Sequence, residues 1–278
     1  MRGTTRRRRI SRVVDGVVSW RSDTMITEEP LEIRLRSKPL VITMRTPGAD
    51  FDLAAGFLVS EGVVTHREQI RAIRYCAGAD EDGANTYNIV DVDLAPDVRL
   101  PDFDLERSFY TTSSCGLCGK ASLDAVRTTA SWDVHDDDAQ FDPKLVAALP
   151  DRLREAQRLF ERTGGLHAAG LFRPDGELLV VREDVGRHNA VDKLVGAALR
   201  EDMLPLRGCL LLVSGRASFE LAQKALMAGI PALAAVSAPS SLAVDLAEES
   251  GMTLVAFLRG TSMNVYTGAP RMHEVIPV

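Results

Sequence analysis

Two of the four cysteines stand three residues apart, in the segment Cys115-Gly-Leu-Cys118. The thiolate form of cysteine is the nucleophile, and both a helix N-terminus and a neighbouring cation favour it over the thiol. Lys120 follows the pair closely, and a glycine after each cysteine allows a tight turn that leaves sulfur accessible. The spacing therefore predicts a reactive pair of thiols on a turn that opens a helix.

Three kinds of chemistry fit this pair, and its spacing alone does not decide between them. Half of a zinc site is one, but zinc needs two more ligands, and the remaining Cys76 and Cys209 are isolated in the sequence. Dithiol redox chemistry is the second, although the pair does not lie in a clear βαβ unit. The third is sulfur transfer through a cysteine persulfide, which requires one sulfur that two partners reach in succession.

A second group of polar residues follows the apolar strands expected in the second half of the chain. Three strand-to-helix loops are small and polar, at residues 183–189, 214–218 and 237–241. Ligands gather at the carboxyl ends of parallel strands, and helix N-termini offer N–H groups to phosphate. These loops predict a site for the phosphate or pyrophosphate of a nucleotide-like ligand. The candidate binding residues are Arg187, His188, Ser214, Gly215 and Arg216.

Ordinary helix capping by Asn189, Ser218 and Ser240 is the competing interpretation of the same loops. The chain has no Walker A sequence and no Gly-x-Gly-x-x-Gly fingerprint, so a standard nucleoside triphosphatase or dinucleotide enzyme is not expected. His167 follows two glycines and a leucine at an expected strand edge, a position that raises it above an ordinary structural histidine.

The last expected strand leads into a further polar segment. An arginine, a glycine and two hydroxyl groups after a core strand suit a phosphate or the edge of a base, although many strands end in this way. The residues of this segment are Phe257, Leu258, Arg259, Gly260, Thr261 and Ser262.

Hydrophobic patterning assigns the chain to the α/β class. Apolar runs predict strands at residues 31–35, 40–44, 86–94, 168–172, 177–182, 209–214, 232–237 and 253–258. Helical patterns are expected at 50–59, 120–129, 150–162, 189–199, 219–228 and 240–250. Because apolar strands alternate with helices in the second half, that half is expected to contain βαβαβ units around a buried parallel sheet.

Composition divides the 278 residues into four parts. Residues 1–22 are expected to be a disordered basic tail. Residues 23–132 are expected to form a smaller N-terminal α+β part that carries the cysteine pair. Residues 133–145 hold a run of aspartates and are expected to be a solvated acidic linker. Residues 146–278 are expected to form a C-terminal α/β domain that binds a cofactor. The arginines of the tail are Arg2, Arg6, Arg7, Arg8, Arg9 and Arg12.

Charge and hydropathy exclude several classes of partner. The net charge is −6, and it becomes −12 without the six arginines of the tail. A body this acidic repels phosphate backbones, so a nucleic-acid partner is not expected. No stretch reaches the roughly 18 apolar residues of a membrane span, so no membrane partner is expected either. Four cysteines at this length do not make a disulfide framework, which is typical of the reducing cytoplasm.

The segments together resemble the formate dehydrogenase accessory sulfurtransferase family, of the FdhD/NarQ type. The likeness runs in order from about residue 28 to residue 268, nearly the whole chain. The matching segments are LAAGFLVSEG at 53–62, SSCGLCGK at 113–120, TGGLHAA at 163–169, EDVGRHNAVDK at 183–193, SGR at 214–216, FLRG at 257–260 and NVYTG at 264–268.

What the resemblance implies is a cytoplasmic sulfur carrier with sulfurtransferase activity. It would accept sulfur from a cysteine desulfurase and pass it to the molybdenum (or tungsten) bis-pterin guanine dinucleotide cofactor of formate dehydrogenase. By motif, Cys115 would form the persulfide with Cys118 as its partner, and residues 257–262 match the segment that binds the cofactor. The resemblance also implies a homodimer and a C-terminal layer similar to the cytidine-deaminase fold. No catalytic metal of its own is expected.

Two other functions stay open at this point. One is a non-catalytic chaperone that binds the molybdenum cofactor, and the other is a dithiol oxidoreductase. Zinc-dependent deamination is disfavoured in spite of the implied fold. It requires a glutamate two residues after the histidine ligand, whereas Ala168 and Ala169 follow His167.

Overall fold

The structure is a computed structural model that describes residues 3–76, 87–98 and 130–273. Cys115, Cys118 and the helix expected at 120–129 lie outside the described residues. The described residues form three β-sheets, of two, four and six strands. None of the described helices is long and apolar enough to cross a bilayer.

The first described element is a hairpin of two antiparallel strands, β1 (Thr5–Val14) and β2 (Val17–Ile26). The prediction of a disordered tail at residues 1–22 is therefore wrong from Thr5 onwards. Asp15 and Gly16 both have positive φ, 49° and 79°, as a mirror-image two-residue hairpin turn requires. Valines on both sides of the turn favour strands. The Asp-Gly turn signal thus outweighs the arginine-rich composition.

A four-stranded sheet follows the hairpin. Its strands are β3 (Glu29–Leu35), β4 (Lys38–Arg45), β5 (Ile70–Tyr75) and β6 (Ile89–Leu94), in the order β4-β3-β6-β5. Helix α1 (Asp50–Ser60) shares an apolar core with this sheet. Three strands and the helix confirm the predicted elements of this part, and β5 is an additional strand.

The C-terminal part is built on a six-stranded sheet in the order β12-β11-β10-β9-β7-β8. Strands β9, β10 and β11 are parallel, whereas β7 is antiparallel to both of its neighbours and β12 is antiparallel to β11. The α/β class is confirmed, and the expected parallel core occupies the middle of a mixed sheet. The likeness to the cytidine-deaminase fold stays a prediction. The strands are β7 (His167–Phe172), β8 (Leu178–Asp184), β9 (Leu210–Val213), β10 (Ala232–Ala235), β11 (Thr253–Arg259) and β12 (Ser262–Thr267).

Five of the described helices follow or precede strands of this sheet. The single helix predicted at 150–162 is two helices, and the first begins earlier, at Pro143. The Asp142 carboxylate caps it by accepting a hydrogen bond from the backbone N–H of Lys144 at 2.8 Å, and proline suits a first helical turn. The helices are α2 (Pro143–Ala156), α3 (Arg158–Thr163), α4 (Arg187–Arg200), α5 (Phe219–Met227) and α6 (Ser241–Glu249).

The acidic linker expected at 133–145 is packed against the C-terminal part, so the prediction of a solvated connection is wrong. The buried Arg271 guanidinium donates hydrogen bonds to the backbone carbonyls of Val134, His135 and Asp137, at 2.6 to 2.9 Å. The Asp137 carboxylate accepts a hydrogen bond from the backbone N–H of Gly208 at 3.0 Å. The sequence predicted solvent exposure from the run of aspartates. The contacts that bury the segment involve backbone groups, which any residue type supplies, so no pattern of residue types indicates them.

Helices α1 and α4 cross with their backbones in direct contact, which two glycines make possible. A Cβ on Gly56 would lie 1.8 Å from the carbonyl oxygen of Asp192, and a Cβ on Gly196 would lie 1.8 Å from the carbonyl oxygen of Asp52. Both helices contribute to one continuous apolar core. This contact therefore joins the N-terminal part of the chain to the C-terminal part.

Replacement of Gly56 by alanine tests this contact. We expect Gly56→Ala to lower the free energy of unfolding by about 3 kcal/mol or more, because the added methyl group meets backbone atoms that cannot rotate away. Thermal or urea denaturation measures the loss. Gly165→Ala is the control, since its Cβ would meet its nearest atom, a methyl group of Ile26, at an ordinary 3.4 Å. Equal stability of the two variants would contradict the proposed packing.

Candidate functional site

The ends of four strands lie along one edge of the six-stranded sheet. Strand β8 runs in the same direction as β9, β10 and β11, because β7 is antiparallel to both β8 and β9. Strand β7 therefore begins at this edge, with His167 as its first residue. The segments at 183–189, 214–218, 237–241 and 257–262 lie at the same edge. We call His167 and these four segments the polar edge.

His167 lies beside the loop that follows β9. Its Nδ1 is 3.4 Å from Oγ of Ser214, and the same hydroxyl accepts a hydrogen bond from the backbone N–H of Ala168 at 2.9 Å. A Cβ on Gly215 would stand 3.5 Å from the imidazole of His167 and 3.8 Å from Cδ of Arg187. The imidazole of His167 and the side-chain stem of Arg187 therefore both lie beside Gly215.

Arg187 is the first residue of α4, and its Nε is buried without a hydrogen-bond partner among the described residues. An unpaired buried donor costs free energy, which an acceptor on a ligand would recover. Burial lowers the pKa of His167 and of His188, and the nearby positive charge of Arg187 lowers both further. Two neutral imidazoles and an unsatisfied guanidinium nitrogen are therefore arranged to accept an anion.

His188 extends the cluster towards the start of α5. Its Nε2 is 3.4 Å from Oγ of Ser218 and 3.6 Å from Oε2 of Glu220. The Glu220 carboxylate repels anions. An anionic group is therefore favoured on the side of Arg187 that faces His167.

The loops of the polar edge are hydrogen-bonded to one another. The backbone N–H of Ser237 donates to the carbonyl of Gly215 at 3.2 Å, and the N–H of Phe257 donates to the carbonyl of Ser237 at 3.2 Å. Phe257 has a φ of 55°, in the left-handed region that favours glycine, at an irregularity in the pairing of β11 with β12. Backbone strain of this kind concentrates at functional sites.

The remaining residues of the predicted segment form the turn between β11 and β12. Arg259, Gly260, Thr261 and Ser262 are exposed, and Oγ of Ser262 donates a hydrogen bond to the carbonyl of Arg259 at 3.1 Å. Leu258 is buried in the core. Arg216 is exposed in the loop after β9.

The structure thus brings four of the predicted binding residues into one cluster with a fifth residue, His167. The other binding candidates lie at the same edge but outside this cluster. Phe257 is linked to the loop after β10 through a backbone hydrogen bond, and Leu258 is buried. The exposed candidates are Arg216, Arg259, Gly260, Thr261 and Ser262. The four clustered residues are Arg187, His188, Ser214 and Gly215.

Helix capping explains only one of the three loops. Oγ of Ser240 accepts a hydrogen bond from the backbone N–H of Ala243 at 3.3 Å. Ser218 makes no such cap within the described chain, and its hydroxyl is near His188 instead. Asn189 lies inside α4, where its Nδ2 donates to the backbone carbonyl of Met44 at 2.8 Å. Side-chain capping therefore accounts for the loop at 237–241 but not for the loops at 183–189 and 214–218.

Asp184 fixes the start of α4 and with it the positions of Arg187 and His188. Its side chain is fully buried, and its Oδ2 is 2.6 Å from Nζ of Lys193, which is also buried. Its carboxylate accepts three more hydrogen bonds, at 2.8 to 3.2 Å, from the backbone of Thr46 and Gly186 and from the side chain of Asn189. The segment at 183–193 thus combines a buried anchor with two residues of the polar edge.

Two more buried carboxylates connect the helices. Asp192 on α4 pairs with Nζ of Lys224 on α5 at 2.7 Å and accepts a hydrogen bond from Oγ of Ser60 on α1 at 2.7 Å. Asp52 on α1 pairs with Arg182 at 2.9 Å and with Arg200. The sequence analysis missed these pairs because most partners are far apart in the chain. The acidic and basic residues within the 183–193 segment were the only local signal.

The described cysteines are poor candidates for the reactive thiol. Cys209 is buried just before β9, and burial raises its thiol pKa to about 11, so the thiol stays protonated at neutral pH. Strand β9 also separates Cys209 from Ser214 at the polar edge. Cys76 is half-buried after β5. Cys115 and Cys118, outside the described residues, remain the candidates for sulfur chemistry.

Known proteins similar to this chain are sulfur carriers by name. The model of the FdhD/NarQ family matches residues 26–273. A protein from Streptomyces coelicolor, named sulfur carrier protein FdhD, is 70% identical over 96% of this chain and 95% of its own length. A protein of the same name from Mycobacterium tuberculosis is 59% identical over 96% of this chain and 98% of its own length.

A solved structure shares the fold. It is a candidate formate dehydrogenase accessory protein from Desulfotalea psychrophila, with a TM-score of 0.74 and 24% sequence identity. The match covers 97% of this chain and all of the other. At this identity the likeness supports the fold alone.

Proton uptake on anion binding tests the cluster around Arg187. Because the pKa values of His167 and His188 are lowered, both are neutral at pH 7, and a bound anion would favour their charged forms. We expect the affinity for inorganic pyrophosphate to rise as the pH falls from about 7 to about 5.5. Titration calorimetry across this range measures the effect. The double variant His167→Gln/His188→Gln corrects for protonation of pyrophosphate itself, and the same pH dependence in both proteins would refute the assignment.

Removal of the buried cation tests the anchor. Lys193→Met leaves Asp184 buried beside an apolar chain, and we expect it to lower the free energy of unfolding by about 3 kcal/mol. Arg173→Met breaks an ion pair with Glu177 in which both side chains are more than half exposed, so its expected loss is about 0.5 kcal/mol or less. Urea denaturation compares the two. Similar losses in both variants would show that Asp184 does not depend on Lys193.

Proposed function

The chain belongs to the FdhD/NarQ family, and from this membership we propose that it carries sulfur from a cysteine desulfurase to the molybdenum bis-pterin guanine dinucleotide cofactor that formate dehydrogenase needs. The observation that carries the proposal is 70% identity, over nearly the full length of both chains, to a protein named as a sulfur carrier. The cofactor is the acceptor substrate of this reaction and not a resident group.

The first step loads sulfur onto Cys115. The Cys115 thiolate attacks the outer sulfur of the desulfurase persulfide, an S–S bond forms on Cys115, and the desulfurase cysteine leaves as a thiolate. The bond broken and the bond formed are of the same kind, so no external oxidant or reductant takes part. The product is a persulfide on Cys115.

The second step releases the sulfur at the level of sulfide. The Cys118 thiolate attacks the inner sulfur of the persulfide, a Cys115–Cys118 disulfide forms, and hydrosulfide leaves for the molybdenum. The two electrons that reduce the sulfur come from the two cysteines. A cellular dithiol must then reduce the disulfide before the next cycle, which places the reaction in the cytoplasm.

The polar edge would hold the nucleotide end of the acceptor. A guanine dinucleotide carries phosphate groups, and the unpaired Nε of Arg187 supplies a donor for one of them. His167 and Ser214 lie beside it, and α4 begins at Arg187, where a helix N-terminus favours an anion. Residues 257–262 extend the same edge and would contact the pterin or the base. The protein would act with formate dehydrogenase as its second partner, and as a homodimer.

Intact-protein mass spectrometry after incubation with desulfurase and cysteine tests the sulfur step. We expect the wild-type protein to gain the mass of one sulfur atom, and we expect Cys115→Ser to gain none. Cys76→Ser is the matched control and should load normally, because it keeps the reactive pair. Cys118→Ser should load but fail to release hydrosulfide.

The outcomes separate the competing functions. Normal delivery of cofactor by a Cys115→Ser protein that never carries sulfur would favour a cofactor chaperone. Reversible formation of the Cys115–Cys118 disulfide with turnover of protein disulfides, and no mass gain, would favour an oxidoreductase. Loading of Cys115→Ser but not of Cys118→Ser would reverse the roles of the two cysteines.

A further inference from the structure

The hairpin of β1 and β2 extends from the protein with both of its faces in solvent. Every residue from Arg6 to Met25 is exposed or half-exposed, and neither strand pairs with another strand of the described residues. We call residues Thr5–Ile26 the arm. The family model begins at residue 26, so all of the arm except its last residue precedes the segment that it matches.

The base of the arm is fixed to the body. Arg6 pairs with the buried Glu29 on β3 at 3.3 Å. A methyl group of Ile26 lies 3.4 Å from the Cβ position of Gly165. The arm therefore extends in a defined direction.

The tip of the arm is apolar. Large apolar side chains on both strands are half to two-thirds exposed, and Trp20 is 64% exposed. An isolated two-stranded hairpin is at best marginally stable in water, so an apolar tip without cover is costly. Another surface is needed to bury it. The other exposed apolar residues of the tip are Val13, Val14, Val17 and Val18.

The charge of the arm is opposite to that of the rest of the chain. Residues 5–26 contain six arginines and two aspartates, for a net charge of +4, which leaves −10 on the remainder. Of the arginines, Arg9 lies over the ring of Trp20 at 5.0 Å, so the cationic and apolar parts form one surface. A second copy of this chain offers a body of the complementary charge.

We propose that the arm of each copy lies on the body of a second copy, in a two-fold symmetric dimer. The inference rests on the homodimer of the proposed function and names the surface that would form it. In a two-fold dimer the same contact occurs twice, so two arms contribute. Each arm has twenty residues in its strands, close to the roughly 20–30 residues that a specific interface uses on each side.

Sedimentation velocity over a range of protein concentrations tests the arm in the full-length chain. We expect the wild type to be a dimer that weakens as salt rises, because charges contribute to it. The triple variant Val17→Ser/Val18→Ser/Trp20→Ser should raise the dimer dissociation constant about 100-fold or more. Ser11→Ala/Ser22→Ala is the matched control, since these exposed residues lie on the arm but their replacement removes none of its apolar side chains. Thermal denaturation should show that both variants remain folded.

Each outcome has a separate meaning for the two proposals. A monomeric wild type at all concentrations would overturn both the dimer and the role of the arm. A wild-type dimer that the triple variant leaves unchanged would keep the dimer and overturn the role of the arm. Loss of sulfur loading in the triple variant, with dimerisation unchanged, would mean that the arm binds the desulfurase and would also overturn the inference.

Discussion

The close contact of helices α1 and α4 is the constraint on which the rest of the structure depends. Gly56 and Gly196 let the two backbones touch, so neither helix can rotate or slide without a clash. Because α1 connects β4 and β5 of the N-terminal sheet and α4 follows β8, this one crossing relates the two halves of the chain. The first residues of α4 are held in consequence at the edge where β8 ends.

Buried ion pairs add further contacts around the crossing of α1 and α4. Asp52 on α1 pairs with Arg182 on β8, and Asp192 on α4 pairs with Lys224 on α5. Asp184 at the end of β8 pairs with Lys193 on α4, and both of these side chains also contact the backbone of Thr46 before α1. Such pairs add specificity of position more than stability, because desolvation offsets much of the attraction. Here they hold the backbone around Arg187 while leaving the Nε of that residue without a partner in the described structure. These buried groups thus fix the backbone from which Arg187 and His188 extend.

The sequence predicted the α/β class, most strands and helices, and the grouping of polar loops at one sheet edge, because these follow from periodicity and from the direction of parallel strands. It missed the hairpin at Thr5–Ile26, although Asp15-Gly16 between paired valines was the local signal. It also missed the packed acidic segment and the partners of Asp184 and Asp192. Those contacts join residues such as Arg271 and Val134, which are distant in the chain and have no shared pattern. His167 was noticed for its glycines, but its contact with Ser214 appears only in three dimensions.

In the proposed function, one protein carries sulfur on a cysteine and presents it to an acceptor that the polar edge binds. A chase experiment with radiolabelled sulfur tests this division directly, using wild type and Arg187→Gln loaded by a desulfurase and then mixed with formate dehydrogenase that lacks the sulfido ligand. We expect both proteins to accept label equally and only the wild type to transfer it to the cofactor. Equal transfer by Arg187→Gln, or failure of that variant to accept label at all, would contradict this expectation.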